Sequence, residues 1–430
     1  MIEYTKFKKA DEIVQEYLDI IVDEIKKSVL GLEAIILSGG FGRGEGSVEI
    51  LEGNLRILND FDIYLVTKKQ LSDRFLEELG KKCSEMIGKG GLEYPENYRL
   101  KFDFDVFFNI DLRCLTIKKL KYLPPMVRYF EMKNSTTLLW GKDVRQLISE
   151  IKPEDLPFPE GIRLLSNRMM NIFLSMKPEY LEKQPSHDEI GIINYYICKG
   201  YLACCEALLL CAGEFRETYE KRSERICEIY EKRFPDLYSK FPELGDKIKI
   251  MTNYKFNPEI KKFDFRKEWF EVRECMTEVF KYTILKVINK EFTNWINLSK
   301  DIEKELIKYY FDGYAGFILR KFKMNFKISR FVLSRITAMA LGVLFLIEVK
   351  KEKREFFLRS LIEEPGLKIL SLTPLILLSI NKKGEFNLEY RDYVRRRLES
   401  IYPIGKINDW KSMKENYLDV YKLYYLRRFV

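Results

Sequence analysis

Two pairs of acids define the chemistry open to this chain. Asp60 and Asp62 stand in the run DFDIYLV, and Asp103 and Asp105 stand in LKFDFDVFFN. In an extended strand, residues two apart project from one face, so each pair sets two carboxylates side by side. Bare carboxylates that close raise one another's pKa unless a cation sits between them. The chain has one histidine, His187, and oxygen ligands without imidazole select Mg²⁺ or Mn²⁺. The second pair lies among Phe102, Phe104, Val106 and Phe107, where an acid is costly without compensating charge. Upstream, SGGFGRGEG (38–46) follows a short apolar run. Bare backbone at Ser38, Gly39 and Gly40 can approach a ligand and turn N–H groups toward phosphate. Arg43 adds a fixed positive charge suited to a triphosphate. No Gly-Lys-Ser/Thr follows, so this is not a P-loop, and the spacing does not fit the dinucleotide fingerprint.

The elements that must hold these residues can be read locally. Ile13, Tyr17, Ile20, Ile21 and Ile25 recur at helical spacing, which predicts an amphipathic helix over 10–29. Ala34–Leu37 reads as a strand leading into the glycine turn. Ser47–Ile50 and Leu55–Leu58, either side of Glu52-Gly53-Asn54, read as a hairpin. Asp60–Val66 is a strand, 72–87 a helix and Leu100–Asn109 another strand. Helices with short loops are expected from about 112 onward. The Pro-rich stretch IKPEDLPFPEG (151–161) is the expected linker, and a second boundary is placed near 290–300. The expected class is α+β: an N-terminal mixed sheet with flanking helices over 1–150, then helical domains over 151–290 and 291–430.

Composition narrows the setting. With 430 residues, 46% hydrophobic and 32% charged, the chain has ample material for sizeable cores and is neither disordered nor low-complexity. Net charge is +9, a mild excess compatible with a polyanionic ligand. The eight cysteines form no Cys-x-x-Cys pair and read as small buried hydrophobes in a reducing compartment. The N-terminus has no signal-peptide pattern. The apolar runs 336–347 and 369–380, the latter broken by Pro374, are shorter than the roughly 20 residues of a spanning helix. A cytoplasmic protein without a membrane anchor is expected, with those runs in a core or a dimer interface. His187 is expected in a loop.

Taken together, Leu37-Ser38-Gly39-Gly40, Asp60-Phe61-Asp62 and Asp105 in FDFDVFFN resemble the signature of the nucleotidyltransferase superfamily of the DNA polymerase β type. The string GGFGRGEG is especially similar to uridylyltransferases of nitrogen regulation and to aminoglycoside nucleotidyltransferases. The gap from Gly40 to Asp60 is longer than in those relatives, and the hairpin would absorb the difference. YFEMKNSTTLLWGKD (129–143) is similar to the segment that closes the domain in small members, and the helices at 164–173 and 195–222 look like the helical domain that faces their active site.

The resemblance implies transfer of a nucleoside monophosphate from an NTP, ATP by default, to an acceptor hydroxyl, with pyrophosphate leaving. It implies two metals held by Asp60, Asp62 and Asp105, with Asp103 as support. Ser38, Gly39, Gly40 and Arg43 cradle phosphates, and Lys199 and Arg168 are candidates to reach them. Glu45 has no assigned role. The acceptor is left open among a small molecule, a protein side chain and an RNA 3′ end. Arg395-Arg396-Arg397 and Arg427-Arg428 keep RNA contact in view, and a non-catalytic nucleotide-binding or scaffold protein is the reading from another class.

Overall fold

The computed structural model describes residues 2–51, 54–89, 108–258, 264–306, 332, 336 and 365–421, with no side-chain description for 50–55, 188 and 365. Asp103 and Asp105, most of the expected strand 100–109, the run 336–347 beyond Ile336, and Arg427-Arg428 lie outside the described residues.

The N-terminal part is a mixed four-stranded sheet. Its strands β1 (Leu32–Ser38), β4 (Phe61–Thr67), β5 (Ile110–Thr116) and β6 (Thr137–Gly141) run in the order β5-β4-β1-β6. β1 is antiparallel to β4 and to β6, while β4 and β5 are parallel. β2 (Val48–Leu51) and β3 (Asn54–Ile57) form the expected hairpin as a separate two-stranded sheet. The remainder is helical, so the class is α+β. β5 and β6 correct the expectation of helices from about 112. In β5 the pattern is strict alternation: Ile110, Leu112 and Cys114 are buried, while Asp111 and Arg113 face the other way.

The central sheet separates two cores. Ile35, Leu37, Ile63 and Leu65 pack with α1 (Lys8–Ser28) and α2 (Asp73–Met86). Ala34, Ile36, Tyr64 and Val66 join the core of the helical part. With both faces covered, β1 and β4 must be apolar almost throughout, and Ala34–Leu37 is fully buried. By the same alternation, Asp62 lies on the face of Tyr64 and Val66, toward the helices. The buried stripe of α1 is Ala10, Val14, Leu18, Ile21 and Ile25, while Ile20 is 38% exposed. The expected stripe is therefore rotated, because α1 packs over the sheet through its alanine and valine positions.

The second core is built by α3 (Val127–Asn134), α4 (Pro159–Ser175), α5 (His187–Ala212), α6 (Tyr219–Arg233), α7 (Leu244–Phe256), α8 (Phe265–Ile288) and α9 (Trp295–Glu305), with α10 (Pro365–Leu377) against α4 and α9, and α11 (Leu388–Glu399) and α12 (Trp410–Tyr421) against α10. Ile151 and Leu156 of the Pro-rich stretch are buried in it. His187 is the exposed first residue of α5 rather than a loop residue. Ser186 and Glu189 close a reciprocal capping box in front of it. The helix expected over 195–222 is two helices: Gly213, at φ 69, ends α5, and Thr218 caps α6. Pro374 lies inside α10. Among the described residues, Glu189–Ala212 is long and apolar enough to cross a membrane by length and composition, which corrects the expectation that no run reaches that length. It is a core helix here, with 72% of its most apolar window buried inside the protein. All eight cysteines are free; six are buried, Cys211 is half-buried and Cys227 is exposed.

Candidate active site

Strand pairing brings the first acid to the glycine turn. Ser38, the last residue of β1, is the register partner of Asp62 on β4. The chain then bends into one helical turn, Gly39–Gly42. Gly39 has φ 64, and a Cβ on it would lie 2.1 Å from Asp62 Oδ2. Any side chain there would be strained by its backbone and would collide with the carboxylate. The turn is anchored from the opposite face by an aromatic stack. Phe41 meets Phe61 edge to face at 4.9 Å, and Phe61 meets Phe108 at 5.2 Å. Phe61 thus points into the α1/α2 core while its neighbours Asp60 and Asp62 point the other way.

Asp60 lies just before β4, where Oδ1 accepts the N–H of Asn109 at 3.1 Å. It is solvent-accessible but sits in a recess walled by protein, and burial together with the charge of Asp62 pushes its pKa up to about 7. Asp62 is also raised, by burial first and by Asp111, against the pull of Arg113 and Arg43. Asp111 is the in-register neighbour of Asp62 on parallel β5, so the two carboxylates share a face. Its Oδ2 accepts from Arg113 Nη2 at 2.5 Å. Asp111 is the described acid nearest in register to the pair, and it is absent from the sequence expectation because helix is expected from about 112. The alternation Ile-Asp-Leu-Arg-Cys was the available signal.

Across the recess stand α4, α5 and α7. Lys199 on α5 has its ammonium 5.2 Å from the ring centre of Tyr195. Burial and the neighbouring Arg168 lower its pKa to about 8. Its charge in turn favours ionised Asp60, so the two share one recess. Neither Lys199 nor Arg168 forms an ion pair among the described residues. Asn59, next to Asp60, donates to the Tyr195 hydroxyl at 2.6 Å, which fixes α5 to the start of β4.

Arg43 is placed otherwise than expected. Its side chain is 5% exposed and pairs with Glu131 at 2.9 Å and Glu45 at 3.3 Å. Glu131 also pairs with Arg222, which holds Glu206 at 2.5 Å. Burial disfavours the Arg43 charge, but Glu131, Tyr219 and Glu45 outweigh it and hold the group protonated. The Glu45 carboxylate accepts the N–H groups of Tyr219 and Glu220, each at 2.9 Å, at the N-terminus of α6. Arg43 and Glu45 thus bolt the turn to α3 and α6, whereas Lys199 and Arg168 have no ion-pair partner among the described residues. In the basic C-terminal run, Arg395 pairs with Glu399 and Arg397 with Glu303.

No group of three or more His, Cys, Asp or Glu side chains among the described residues is arranged to hold a metal. Asp60 and Asp62 alone still suit Mg²⁺, which takes one or two carboxylates and completes its shell with water and phosphate oxygens.

No protein-family model matches the sequence, and no curated protein is similar to it. Among solved structures, the chain is similar to a spectinomycin adenyltransferase from Enterococcus faecialis, crystallised with ATP and spectinomycin. That match has 12% identity and a TM-score of 0.33, covering 61% of this chain and 98% of the other. A likeness this distant decides nothing about the site.

Proposed function

We propose that the chain is a nucleotidyltransferase that moves a nucleoside monophosphate from an NTP to an acceptor hydroxyl and releases pyrophosphate. One observation carries the reading: β1 and β4 pair so that the glycine turn and Asp62 meet, with Asp60 beside them and the cations Lys199 and Arg168 opposite. A phosphate chain needs N–H donors and cations on one side and a metal-binding acid pair on the other. In this reading the backbone of Ser38, Gly39 and Gly40 binds phosphate oxygens, and Lys199 and Arg168 stabilise the charge that builds on departing pyrophosphate. Asp60 and Asp62 hold Mg²⁺ or Mn²⁺, which when bound neutralises phosphate charge and makes the acceptor hydroxyl more acidic. A third carboxylate takes the hydroxyl proton. The resemblance assigns that role to Asp105, while the register with Asp62 favours Asp111. Arg43 acts by holding the turn. ATP is the default donor, the acceptor class is a small molecule or protein, and a cytoplasmic location goes with this chemistry.

The test is displacement of a fluorescent ATP analogue by ATP, CTP, GTP and UTP in Mg²⁺. The reading expects one base to compete best and the competition to weaken sharply in Asp62→Asn. Equal and metal-independent competition by all four would count against it.

A further inference from the structure

Lys255, on α7 and far from any recognised motif, is buried beneath the glycine turn at 1% exposure. Its Nζ donates to the backbone carbonyl of Glu45 at 2.6 Å and to Ser47 Oγ at 3.2 Å. It lies 3.5 Å from where a Cβ on Gly40 would be, and that Cβ would be 3.1 Å from the same Glu45 carbonyl. Glu45 also donates its N–H to Gly40 O at 2.8 Å. Lysine, carbonyl and Gly40 therefore form one tight contact. Ser47 carries the link onward: its N–H donates to Asn59 Oδ1 at 3.0 Å, and Asn59 donates to Tyr195. One chain of hydrogen bonds thus joins α7, the end of the glycine turn, the residue before Asp60 and α5.

Burying an ammonium here is unfavourable, and burial together with nearby Lys199 pulls its proton affinity down. Arg43, Glu45 and Cys198 also face it electrostatically, and the Tyr219 ring lies 5.0 Å away. An apolar side chain would fill the same space without that cost, but it would leave the Glu45 carbonyl without this donor. The contact thus has a purpose that packing alone does not supply.

We infer that Lys255 is a positioning residue that holds the glycine turn and the Asp60 segment in the spacing that receives the donor's phosphates. This rests on the proposed nucleotide site for its purpose, and on the hydrogen-bond chain alone for its structural content. The test compares full-length wild type with Lys255→Met and Lys255→Arg by two readouts. One is hydrogen exchange of the segment 39–47, and the other is the affinity for ATP with Mg²⁺ at a temperature where all three are folded. The expected result is at least tenfold faster exchange of that segment in Lys255→Met. Its ATP affinity falls about tenfold or more, the worth of a hydrogen bond to a charged group, and Lys255→Arg recovers most of both. Unchanged exchange of 39–47 in folded Lys255→Met overturns the inference, whatever happens to ATP. A faster-exchanging turn in a protein whose wild type binds no nucleotide supports the positioning contact and sinks the nucleotide reading instead. Should Lys255→Met not fold, Ser47→Ala removes one acceptor and is expected to loosen the same segment by a smaller factor. No change in it overturns the inference equally.

Discussion

Lys414 on α12 and Lys199 on α5 are both withdrawn from water, yet their surroundings differ. Lys414 donates to the carbonyls of Leu174 and Met176, at 3.0 and 2.6 Å, where α4 ends and its last carbonyls lack partners. Its ammonium also lies 5.4 Å from the ring of Phe173 and 5.0 Å from that of Trp410. Around it, Ser166, Thr373 and Tyr417 satisfy one another through buried hydroxyl bonds. After burial, Lys199 feels the like charge of Arg168 most strongly, opposed by the more weakly acting Glu206, and it forms no ion pair among the described residues. The C-terminal layer therefore completes its polar groups within the fold. The recess facing Asp60 leaves Lys199 and Arg168 without an ion-pair partner among the described residues, as a site for an anion does. Burial alone does not mark a lysine open to an anion; the presence or absence of an internal partner does.

The largest effect expected on stability comes from a third kind of buried charge, the network that bolts the glycine turn. Arg222→Met strands Glu206, leaves Glu131 with Arg43 alone, and should cost about 3–5 kcal/mol, read by urea denaturation. A loss below about 1 kcal/mol would mean that the network is not what fastens the turn. Next, Lys414→Met removes two donors from the end of α4 and should cost about 1–3 kcal/mol while leaving ATP affinity unchanged. Lys199→Met is the mirror case: the melting temperature holds or rises slightly, while affinity for ATP with Mg²⁺ falls on the order of tenfold. If both lysine variants behaved alike in both assays, the distinction drawn between them would collapse.

The smallest expected effect is in the pH dependence of stability. Asp60, raised from 3.8 to about 7, binds a proton in the folded state that the unfolded chain has lost, so its contribution falls as pH rises from about 4 to 7. Lys414, lowered from 10.5 to about 7, gives the opposite slope. The unfolded chain binds the extra proton, so its contribution rises with pH from about 7 to 10.5. Denaturation of Asp60→Asn beside wild type at pH 4.5 and 7.5 isolates the first slope: the variant should gain on wild type at the higher pH. A constant difference would show that Asp60 titrates normally.

Much of this arrangement is legible locally. The glycine turn, the hairpin and the Asp60-Asp62 strand follow from short-range pattern, because turn residues and period-two alternation are properties of a few neighbouring positions. β5 shows the same alternation in Ile110–Cys114, but with arginine and aspartate on its other face the stretch is hard to tell from the start of the helical part. The role of Arg43 was not legible, since its partner Glu131 lies 88 positions away and only folding brings them together. Lys255 and Tyr195 belong to the same class: one reaches the turn and the other Asn59, from helix positions that no local pattern singles out. The break between α5 and α6 was visible in Gly213 and Thr218, and the run of apolar residues before it concealed the stop.

The central claim is that Asp60, Asp62 and the glycine turn form a metal-dependent nucleotide site. Calorimetric titration of ATP, CTP, GTP and UTP, with and without Mg²⁺, into wild type and into Asp60→Ala/Asp62→Ala tests it most directly. The account predicts Mg²⁺-dependent binding to wild type that disappears in the double variant, whose fold and melting temperature persist because two unfavourable charges are gone. Binding of equal strength to both proteins, or no binding by well-folded wild type with any of the four NTPs, would contradict it.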